Sequence, residues 1–340
     1  MQSDLYPGFD VIEPMKIGKP KSDADLQRAM TNGQYFGQIK KDGAFYQIVK
    51  NDNGDVGIFG RGISKTTGFF TEKSANVPHI VEWAKECIPN NSNLMTEIYY
   101  PGKTSKDTMK VMGCLSDKAI TRQQKTGDIH CFVQDCVKWG GQSLIDVAAI
   151  ERVEYLNTIR GDIDWLEIAD VYTRNLPDVL EKAFALGEEG MVFKQKDAFY
   201  YPGKRPVGKT IKAKTEDTLD CVITGVVEPL KEYTGKDVNS WSYWEEGVPV
   251  TKGYAKNWIA GFSLGAFTDK GDLETFGTVT SGMTDFLRAD GRINPQKYLG
   301  QTVEIQCMSI DKQERTLRHA RLIKFRDDKP AQDCLVKDIF

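Results

Sequence analysis

Two stretches of alternating apolar and polar residues, Gln34–Ile39 and Ala44–Val49, flank the tetrapeptide Lys40–Gly43, whose sequence is KKDG. Alternation with a period of two is typical of a β-strand with one buried face, and Asp-Gly is a turn dipeptide. The segment therefore predicts a strand, a tight turn and a second strand. A lysine on a buried strand beside such a turn is a candidate nucleophile, and the alternative is an ordinary surface hairpin.

Length and composition predict a globular protein. With 340 residues, 40% hydrophobic and 27% charged, the chain is long enough for two domains with separate cores. We expect no leader peptide, because no basic segment with an apolar core begins the chain, and no apolar run is long enough for a membrane span. The seven cysteines form no Cys-x-x-Cys pair, so we expect reduced thiols in a cytoplasmic protein.

Charge is distributed unevenly along the chain. The net charge is −3, which by itself argues against a nucleic-acid partner. Basic residues nevertheless concentrate in two runs, 204–214 and 312–329, and the first run contains no acidic residue. Because phosphate recognition needs a local basic stripe rather than a global excess, the runs favour a nucleic-acid partner. A solvated charged face is the alternative.

The first two-thirds of the chain alternates between predicted strands and helices. Beyond the first turn, strands are expected at 56–59, 94–99, 129–137 and 191–194. Helices are expected at 80–88, 148–159 and 176–186, where apolar residues recur at helical spacing and Gly187 can cap the last helix.

After Lys214 the pattern changes to strands with a single short helix. Strands are expected at 219–226, 258–267, 273–279, 302–308 and 317–325, with a helix near 284–288. Five strands and one helix in about 120 residues predict a small β-barrel of the oligonucleotide-binding (OB) type. The predicted domains are 1–216 and 217–340. The interval 228–257 is far longer than a hairpin loop and is a predicted insertion.

One motif matches the P-loop pattern but lacks its context. Residues 203–210 satisfy Gly-x4-Gly-Lys-Thr. A P-loop follows a buried parallel strand and opens a helix, whereas an alternating strand at 211–214 is expected here. We therefore reject the P-loop and predict that Lys209 contacts a nucleic-acid phosphate.

Further motifs follow the KKDG lysine in a fixed order. They are Arg61, Glu97, Phe132, Glu189–Lys194, the pair Lys212 and Lys214, and Arg326–Lys329. Their order and spacing resemble those of the covalent nucleotidyltransferases, specifically the small ATP-dependent DNA ligases of viruses. The resemblance implies an α+β adenylation domain, with antiparallel sheets and flanking helices, followed by an OB-fold domain. It also implies ATP and Mg²⁺ as cofactors, nicked double-stranded DNA as the partner, a monomer, and the host cytoplasm if the protein is viral.

The predicted catalytic residues are Lys40, Lys212, Lys214 and Glu189. An amine attacks phosphorus only when it is unprotonated, and burial and neighbouring cations lower the pKa of a lysine. Lys212 and Lys214 share one strand face, where they would also stabilise charge on the α-phosphate.

Three acidic residues are candidates for the metal site. The resemblance implies that Glu189 lies at the divalent cation and that Glu97 contacts the ribose near it. Mg²⁺ is held by one or two carboxylates together with substrate oxygens, which suits this small number of acids. Asp42 either contributes to the metal site or orients its loop, and an Asx-turn is its alternative role.

The nucleotide base is expected to contact two residues. Phe132 matches the family's aromatic residue that stacks on adenine, although many relatives place that aromatic residue where this chain has Gln134. Gln38 lies two residues before Lys40 on the same strand face and is a candidate for the adenine edge.

Four basic residues complete the predicted nucleotide site. Lys194 would join the phosphate cradle, and Arg326 and Lys329 would orient the pyrophosphate leaving group. The family usually has an arginine two residues after the motif glycine, but this chain has Phe45 there. Arg61 is predicted to supply the missing contact to the sugar or phosphate.

The sequence therefore predicts an ATP-dependent DNA ligase that seals 5′-phosphate/3′-hydroxyl nicks through a lysyl-AMP intermediate, in replication, repair or recombination. The alternatives are an mRNA capping guanylyltransferase, an RNA ligase, or a non-enzymatic OB-fold clamp. Small viral ligases can carry a DNA latch where this chain has 228–257. The insertion is thus predicted to be a latch, with a structural elaboration of the barrel as the alternative because the segment is slightly acidic.

Overall fold

A computed structural model describes residues 6–159, 163–214, 217–235 and 243–340. The chain divides into two compact units, Met1–Lys214 and Thr215–Phe340. The predicted boundary residue, Glu216, lies outside the described residues. Within the described ranges, no helix has the length and apolar character needed to cross a bilayer.

The first unit contains two antiparallel sheets. Its strands are β1 Tyr35–Lys40, β2 Ala44–Lys50, β3 Val56–Ile63, β4 Phe70–Glu72, β5 Ser92–Tyr99, β6 His130–Trp139, β7 Gln142–Ser143, β8 Leu166–Ile168, β9 Gly190–Gln195 and β10 Thr210–Lys214. The larger sheet has the order β4-β3-β2-β5-β6-β7, and the short β8 pairs with β6 in parallel. The smaller sheet has the order β1-β9-β10.

Helices cover these sheets. They are α1 Asp23–Thr31, α2 Pro78–Cys87, α3 Ser105–Met112, α4 Ser116–Thr126, α5 Ala149–Glu154 and α6 Leu176–Ala185, with 3₁₀ turns at Ser74–Asn76 and Tyr155–Thr158. The apolar stripe of α2, with Ile80 and Trp83, is buried in the same cluster as Ile48 of β2. Helix α6 buries Leu176 and Leu180 in a second cluster with residues of β9.

The strands that flank the KKDG turn belong to different sheets. β1 pairs with β9 in the smaller sheet, whereas β2 lies between β3 and β5 in the larger one. The surface-hairpin alternative is therefore wrong. Gly43 permits this change of sheet, because a Cβ atom there would lie 2.3 Å from the Ile98 carbonyl oxygen. The turn thus places Lys40 at the junction of two sheets.

Several predicted elements differ from the structure. Helices α1, α3 and α4 were not expected, because they are polar; α4 buries only Ala119 and Gln123. The helix predicted at 148–159 ends at Glu154 and continues as a 3₁₀ turn. The P-loop is excluded by β10, since a strand rather than a helix begins at Thr210.

The second unit is a half-barrel with short appendages. Its strands are β11 Asp217–Val227, β12 Trp244–Glu245, β13 Val248–Pro249, β14 Gly261–Phe267, β15 Leu273–Val279, β16 Thr302–Cys307, β17 Ser309–Asp311, β18 Thr316–Arg318 and β19 Arg321–Phe325. Its helices are α7 Lys252–Ala255, α8 Asp285–Ile293 and α9 Val336–Ile339, with 3₁₀ turns at Pro295–Lys297 and Ala331–Asp333.

Five of these strands form one sheet in the order β15-β14-β11-β16-β19. A parallel bridge between Ser281 and Arg321 brings the two ends of the sheet together. This arrangement confirms the predicted OB-type barrel. The last predicted strand, 317–325, is wrong as a single element, because His319 adopts a left-handed conformation (φ +53°) between β18 and β19.

The predicted insertion lies between β11 and β14. Its described part contains the β12–β13 hairpin and the short helix α7, and residues 236–242 lie outside the described ranges. Two ion pairs connect the insertion to α8, from Lys252 to Asp285 at 2.6 Å and from Glu228 to Arg292 at 2.5 Å. The described part therefore packs on the barrel.

Candidate active site

Lys40, Glu189 and Lys214 form the centre of the site. In the smaller sheet Lys40 of β1 and Lys214 of β10 both pair with Gly190 of β9. Lys40 Nζ donates a hydrogen bond to Glu189 Oε2, and Lys214 Nζ lies 2.5 Å from Glu189 Oε1. One carboxylate thus bridges the predicted nucleophile and a predicted phosphate-binding lysine. The sequence placed all three in one site, and the structure brings them into contact.

Gly190 sets the spacing of this centre. Its φ is +142°, and a Cβ atom on it would lie 2.0 Å from the Ala213 carbonyl oxygen. Any side chain at Gly190 would therefore push β9 and β10 apart. Because β10 carries Lys212 and Lys214, the bare backbone at Gly190 is required for the observed approach of the lysines to Glu189.

Lys41 has different partners from Lys40. Its Nζ lies 2.8 Å from Glu188 and 3.1 Å from Glu167. Burial would lower the pKa of Lys41, but hydrogen bonds to Glu188 and Glu167 outweigh burial and raise it. Lys41 therefore remains protonated, which makes it a poor nucleophile.

A cavity of about 720 Å³ opens beside Lys40. Its lining includes Glu97, Arg61, Lys212 and Lys214. Burial raises the pKa of Glu97 to about 7, with a further increase from Glu189, while Lys40 and Arg61 oppose the shift. The carboxyl group of Glu97 is thus poised to exchange a proton near neutral pH.

The pKa of Lys212 is lowered. Burial is the largest cause, and the positive charges of Lys214 and Lys40 lower it further. Lys212 and Lys214 alternate with Ala213 on β10, so both face the cavity, as the spacing predicted. A cluster of three lysines in one cavity is the setting in which one amine loses its proton most easily.

Lys194 is buried beside Asp135. Its Nζ is 3.0 Å from Asp135 Oδ2 and donates to the Gln134 carbonyl oxygen at 3.0 Å. Burial alone would raise the pKa of Asp135, but Arg152 and Lys194 outweigh it and hold the pKa at about 2. The ammonium group of Lys194 is thus held by Asp135, although Lys194 also lines the cavity. Its role in phosphate binding stays a prediction.

The two predicted base contacts are buried. Gln38 Nε2 donates to the Gln134 carbonyl oxygen at 3.2 Å, and Gln38 Oε1 has no hydrogen-bond partner in the part of the chain that the structure describes. Phe132 packs with Tyr99, and Lys41 Nζ lies over both rings, 5.6 Å from the centroid of Phe132. Stacking of a base on Phe132 would require Lys41 to move, so both roles stay predictions.

The acidic residues fit a magnesium site in part. Glu97 lines the cavity, and the like charge of Glu189 raises its pKa, a repulsion that a divalent cation would relieve. Asp42 instead accepts a hydrogen bond from the Ser105 backbone N–H at 3.2 Å, in the first turn of α3, which supports its loop-orienting role. Within the described ranges no group of three potential ligands is arranged as a metal cage. Mg²⁺ needs only one or two carboxylates when a phosphate supplies further oxygens.

Several residues of the cavity wall were not predicted from the sequence. Lys16 and Ile17, from the segment that precedes α1, line the cavity together with Lys73 and Arg205. The segment is placed by a hydrogen bond from the Lys16 N–H to the Lys204 carbonyl oxygen at 2.8 Å. No periodicity marks an extended segment of this kind, and the only available signal was the basic character of its lysines.

In the second unit, Arg326 and Lys329 are surrounded by carboxylates. Arg326 donates to both oxygens of Asp328 at 2.9 Å, and Nη1 donates to Asp220 at 3.1 Å. Lys329 Nζ donates to the same Asp220 at 3.0 Å. Asp220 of β11 lies directly opposite Glu304 of β16, so Arg326 also neutralises a like-charge cross-strand pair. Nucleotide contacts of Arg326 and Lys329 stay predictions.

An α+β unit that holds the lysine–glutamate centre, followed by an OB-type unit, is the arrangement that the resemblance to the covalent nucleotidyltransferases implies. The family model described as the ATP dependent DNA ligase domain matches residues 14–214, which is more than half of the chain. The chain therefore belongs to the ATP-dependent DNA ligase domain family.

Curated relatives support this assignment. A probable DNA ligase of Beutenbergia cavernae is 26% identical over 323 residues, which cover 87% of this chain and 55% of the relative. A DNA ligase of Natronomonas pharaonis is 26% identical over 352 residues, which cover 96% of this chain and 58% of the relative. The chain thus spans between half and two-thirds of the length of these relatives.

Solved structures share the fold. A Lig E DNA ligase structure matches with a TM-score of 0.60 and 15% identity, covering 93% of this chain and 100% of that one. The structure called Pmar-Lig_Pre matches with a TM-score of 0.65 and 16% identity, covering 95% of this chain and 69% of that one. At these identities the likeness concerns the fold alone.

Proposed function

We propose that this protein is an ATP-dependent DNA ligase that seals 5′-phosphate/3′-hydroxyl nicks in duplex DNA. The observation that carries the proposal is the bridging of Lys40 and Lys214 by Glu189, because both lysines line a cavity together with further cations. The predicted domains 1–216 and 217–340 serve as the adenylation domain and the OB-fold domain. The protein acts as a cytoplasmic monomer.

In the first step the amine of Lys40 attacks the α-phosphorus of ATP. Lys212 and Lys214 stabilise the charge that develops on the α-phosphate oxygens. A P–N bond forms, the bond between the α-phosphorus and the oxygen that bridges to the β-phosphate breaks, pyrophosphate leaves, and the attacking amine loses one proton to solvent. Glu189 releases Lys40 in this step, and its contact with Lys214 keeps that lysine oriented towards the phosphate.

Two further displacements complete the proposed reaction. The 5′-phosphate of the nick attacks the phosphorus of lysyl-AMP, which frees Lys40 and leaves AMP on the DNA end. The 3′-hydroxyl then attacks the activated 5′-phosphate and AMP leaves. Basic side chains at Arg205 and Lys209 bind the DNA backbone, where a local concentration of cations is required.

Glu97 and Glu189 would hold Mg²⁺, with Asp42 orienting the adjoining loop. The ion, when bound, would neutralise negative charge on the phosphate oxygens. The raised pKa of Glu97 suits either this role or a hydrogen bond to the ribose, because an acid near its pKa can serve as donor or acceptor.

The proposal predicts a covalent nucleotide on Lys40. Incubation with ATP labelled at the α-phosphate, followed by denaturing electrophoresis, should show a labelled protein band. Lys40→Ala should abolish the band because it removes the amine that would attack the α-phosphorus, while Lys214 keeps its contact with Glu189. Lys41→Ala is the matched control and should retain labelling, since its ammonium group points to Glu188 and Glu167. Circular dichroism should confirm that both variants are folded.

Other outcomes would favour the rival functions. Labelling with GTP in place of ATP would indicate a capping guanylyltransferase, and sealing of RNA but not DNA nicks would indicate an RNA ligase. A wild-type protein that binds DNA but takes no label would be a non-enzymatic clamp. Retained labelling in Lys40→Ala with loss in Lys41→Ala would move the nucleophile to Lys41.

A further inference from the structure

We infer that Phe45 is a positioning residue whose aromatic ring holds the Arg61 guanidinium at the nucleotide cavity. The inference rests on the proposed function, in which this cavity binds ATP. It concerns the position where related ligases usually carry an arginine and this chain does not. Phe45, the apolar residue at this position, therefore acts through Arg61, its neighbour on β3.

Strand register places three side chains in one row. Phe45 of β2 lies directly opposite Glu97 of β5. On the other side of β2, Tyr46 pairs with Gly60 of β3, so the next residue, Arg61, lies beside Phe45. Directly opposed residues of antiparallel strands point to the same face of a sheet. Arg61, Phe45 and Glu97 therefore form a row that faces the cavity, and all three line it.

Arg61 lies over the ring of Phe45. The distance from Arg61 Cζ to the ring centroid is 5.0 Å, within the range in which a cation is attracted to an aromatic face. Among the described residues, no carboxylate oxygen lies within 4.0 Å of a guanidinium nitrogen of Arg61. Arg61 is also exposed, near the end of β3. The ring of Phe45 is thus the contact that limits its freedom.

The geometry of this contact leaves the N–H groups of Arg61 available to bind a ligand. A guanidinium on an aromatic ring uses its flat face, while its N–H groups point outward in the plane and remain available to a phosphate or a hydroxyl group. The charge of Arg61 reaches the site, since it lowers the proton affinity of Glu97. Phe45 therefore keeps a cation near the position of the absent motif arginine.

The ring itself is well supported. Phe45 packs against a buried cluster that includes Met15, Met95 and Tyr200. This packing fixes the ring plane, and the fixed plane in turn fixes the face available to Arg61. A leucine at position 45 can fill much of the same space but offers no aromatic face, so F45L separates packing from the contact with Arg61.

The test is a double-mutant cycle on the labelling reaction. F45L should raise the KM for ATP about 2- to 5-fold with little change in kcat, as expected for loss of an exposed cation–aromatic contact. F45Y keeps the ring and should recover most of the loss. In an R61A background, F45L should add no further effect. An equal loss from F45L with and without Arg61 would overturn the inference, because the effect would then arise from packing alone.

A second measurement does not depend on activity. The ring current of Phe45 should shift the Arg61 side-chain proton resonances upfield, and the shift should disappear in F45L and remain in F45Y. Unchanged Arg61 resonances in F45L would overturn the inference. If the wild-type protein takes no label from ATP, the proposed function fails while the spectra still decide whether Phe45 positions Arg61. Melting temperatures of all variants should be compared to confirm folding.

Discussion

The pKa of Glu97 shows how strongly the titration of one side chain can depend on its surroundings. Burial raises the pKa of its carboxyl group from 4.5 to about 7, so the folded state keeps a proton that the unfolded state has already lost. Between these two values the folded state binds more protons than the unfolded state. The free energy of unfolding therefore falls as pH rises through this window.

Replacement of Glu97 should remove this dependence. Glu97→Gln cannot ionise, so at about pH 8 it should exceed the wild type in stability, by on the order of 1 to 3 kcal/mol, and should approach it near pH 5. Urea unfolding at both pH values measures the difference. Glu82→Gln is a control, because Glu82 is exposed on α2. A pH-independent effect of Glu97→Gln would contradict the assigned titration.

At this scale the sequence predicted part of the site. Lys212 and Lys214 could be assigned to one face because strand geometry fixes which residues point together. The pairing of Lys194 with Asp135 could not be predicted, because it joins β9 to β6 and depends on their packing. For the same reason, the covering of Phe132 by Lys41 left no signal in the sequence.

Among the secondary-structure elements, the positions of the strands were predicted better than their pairing. The alternation around the KKDG turn located β1 and β2 to within one residue at each end. It could not show that the two strands join different sheets, because that choice is made by β9 and β5 elsewhere in the chain. Polar helices such as α4 were missed, since a helix that buries few residues has little apolar periodicity.

The insertion between β11 and β14 remains a predicted DNA latch. Replacing residues 231–255 with a short Gly/Ser linker should leave labelling by ATP near normal, because the cavity lies in the first unit. Binding and sealing of nicked DNA should weaken several-fold. Gel-shift and sealing assays at physiological salt measure both effects.

The same experiment can exclude a latch. The described part of the insertion packs on α8 through Lys252 and Glu228, so a purely structural role is the alternative. If the role is structural, Lys252→Ala should reproduce part of any loss of stability seen in the linker variant and should leave DNA binding unchanged. Unchanged nick affinity in the linker variant would assign the insertion to the barrel alone.

At the scale of the whole molecule, the proposed chemistry divides between the two units. The first unit carries the proposed nucleophile, whereas Arg326 and Lys329 belong to the second. Both cations are held there by carboxylates, chiefly Asp328 for Arg326 and Asp220 for Lys329. Most donors of the Arg326 guanidinium are already used, so contact with pyrophosphate requires an exchange of partners.

Loss of these two cations should therefore affect one step selectively. Arg326→Ala and Lys329→Ala should slow labelling by ATP at least tenfold, while sealing of a nick that already carries AMP should be comparatively spared. No pyrophosphate leaves in sealing, which is the reason for the difference. Lys324→Ala is the matched control, because Lys324 is an exposed barrel lysine beside Glu304. Equal losses in both assays would reject the assigned role.

Gly190 limits how the site can be engineered, although it has no side chain. It offers a ligand no functional group, yet a single added carbon would meet the Ala213 carbonyl oxygen at 2.0 Å. Redesign of the cavity can therefore vary other lining residues and still keep the separation of β9 and β10 at which Lys40 and Lys214 share Glu189. Gly190 sets this separation although it has no side chain, so it must be retained while the residues around it are varied.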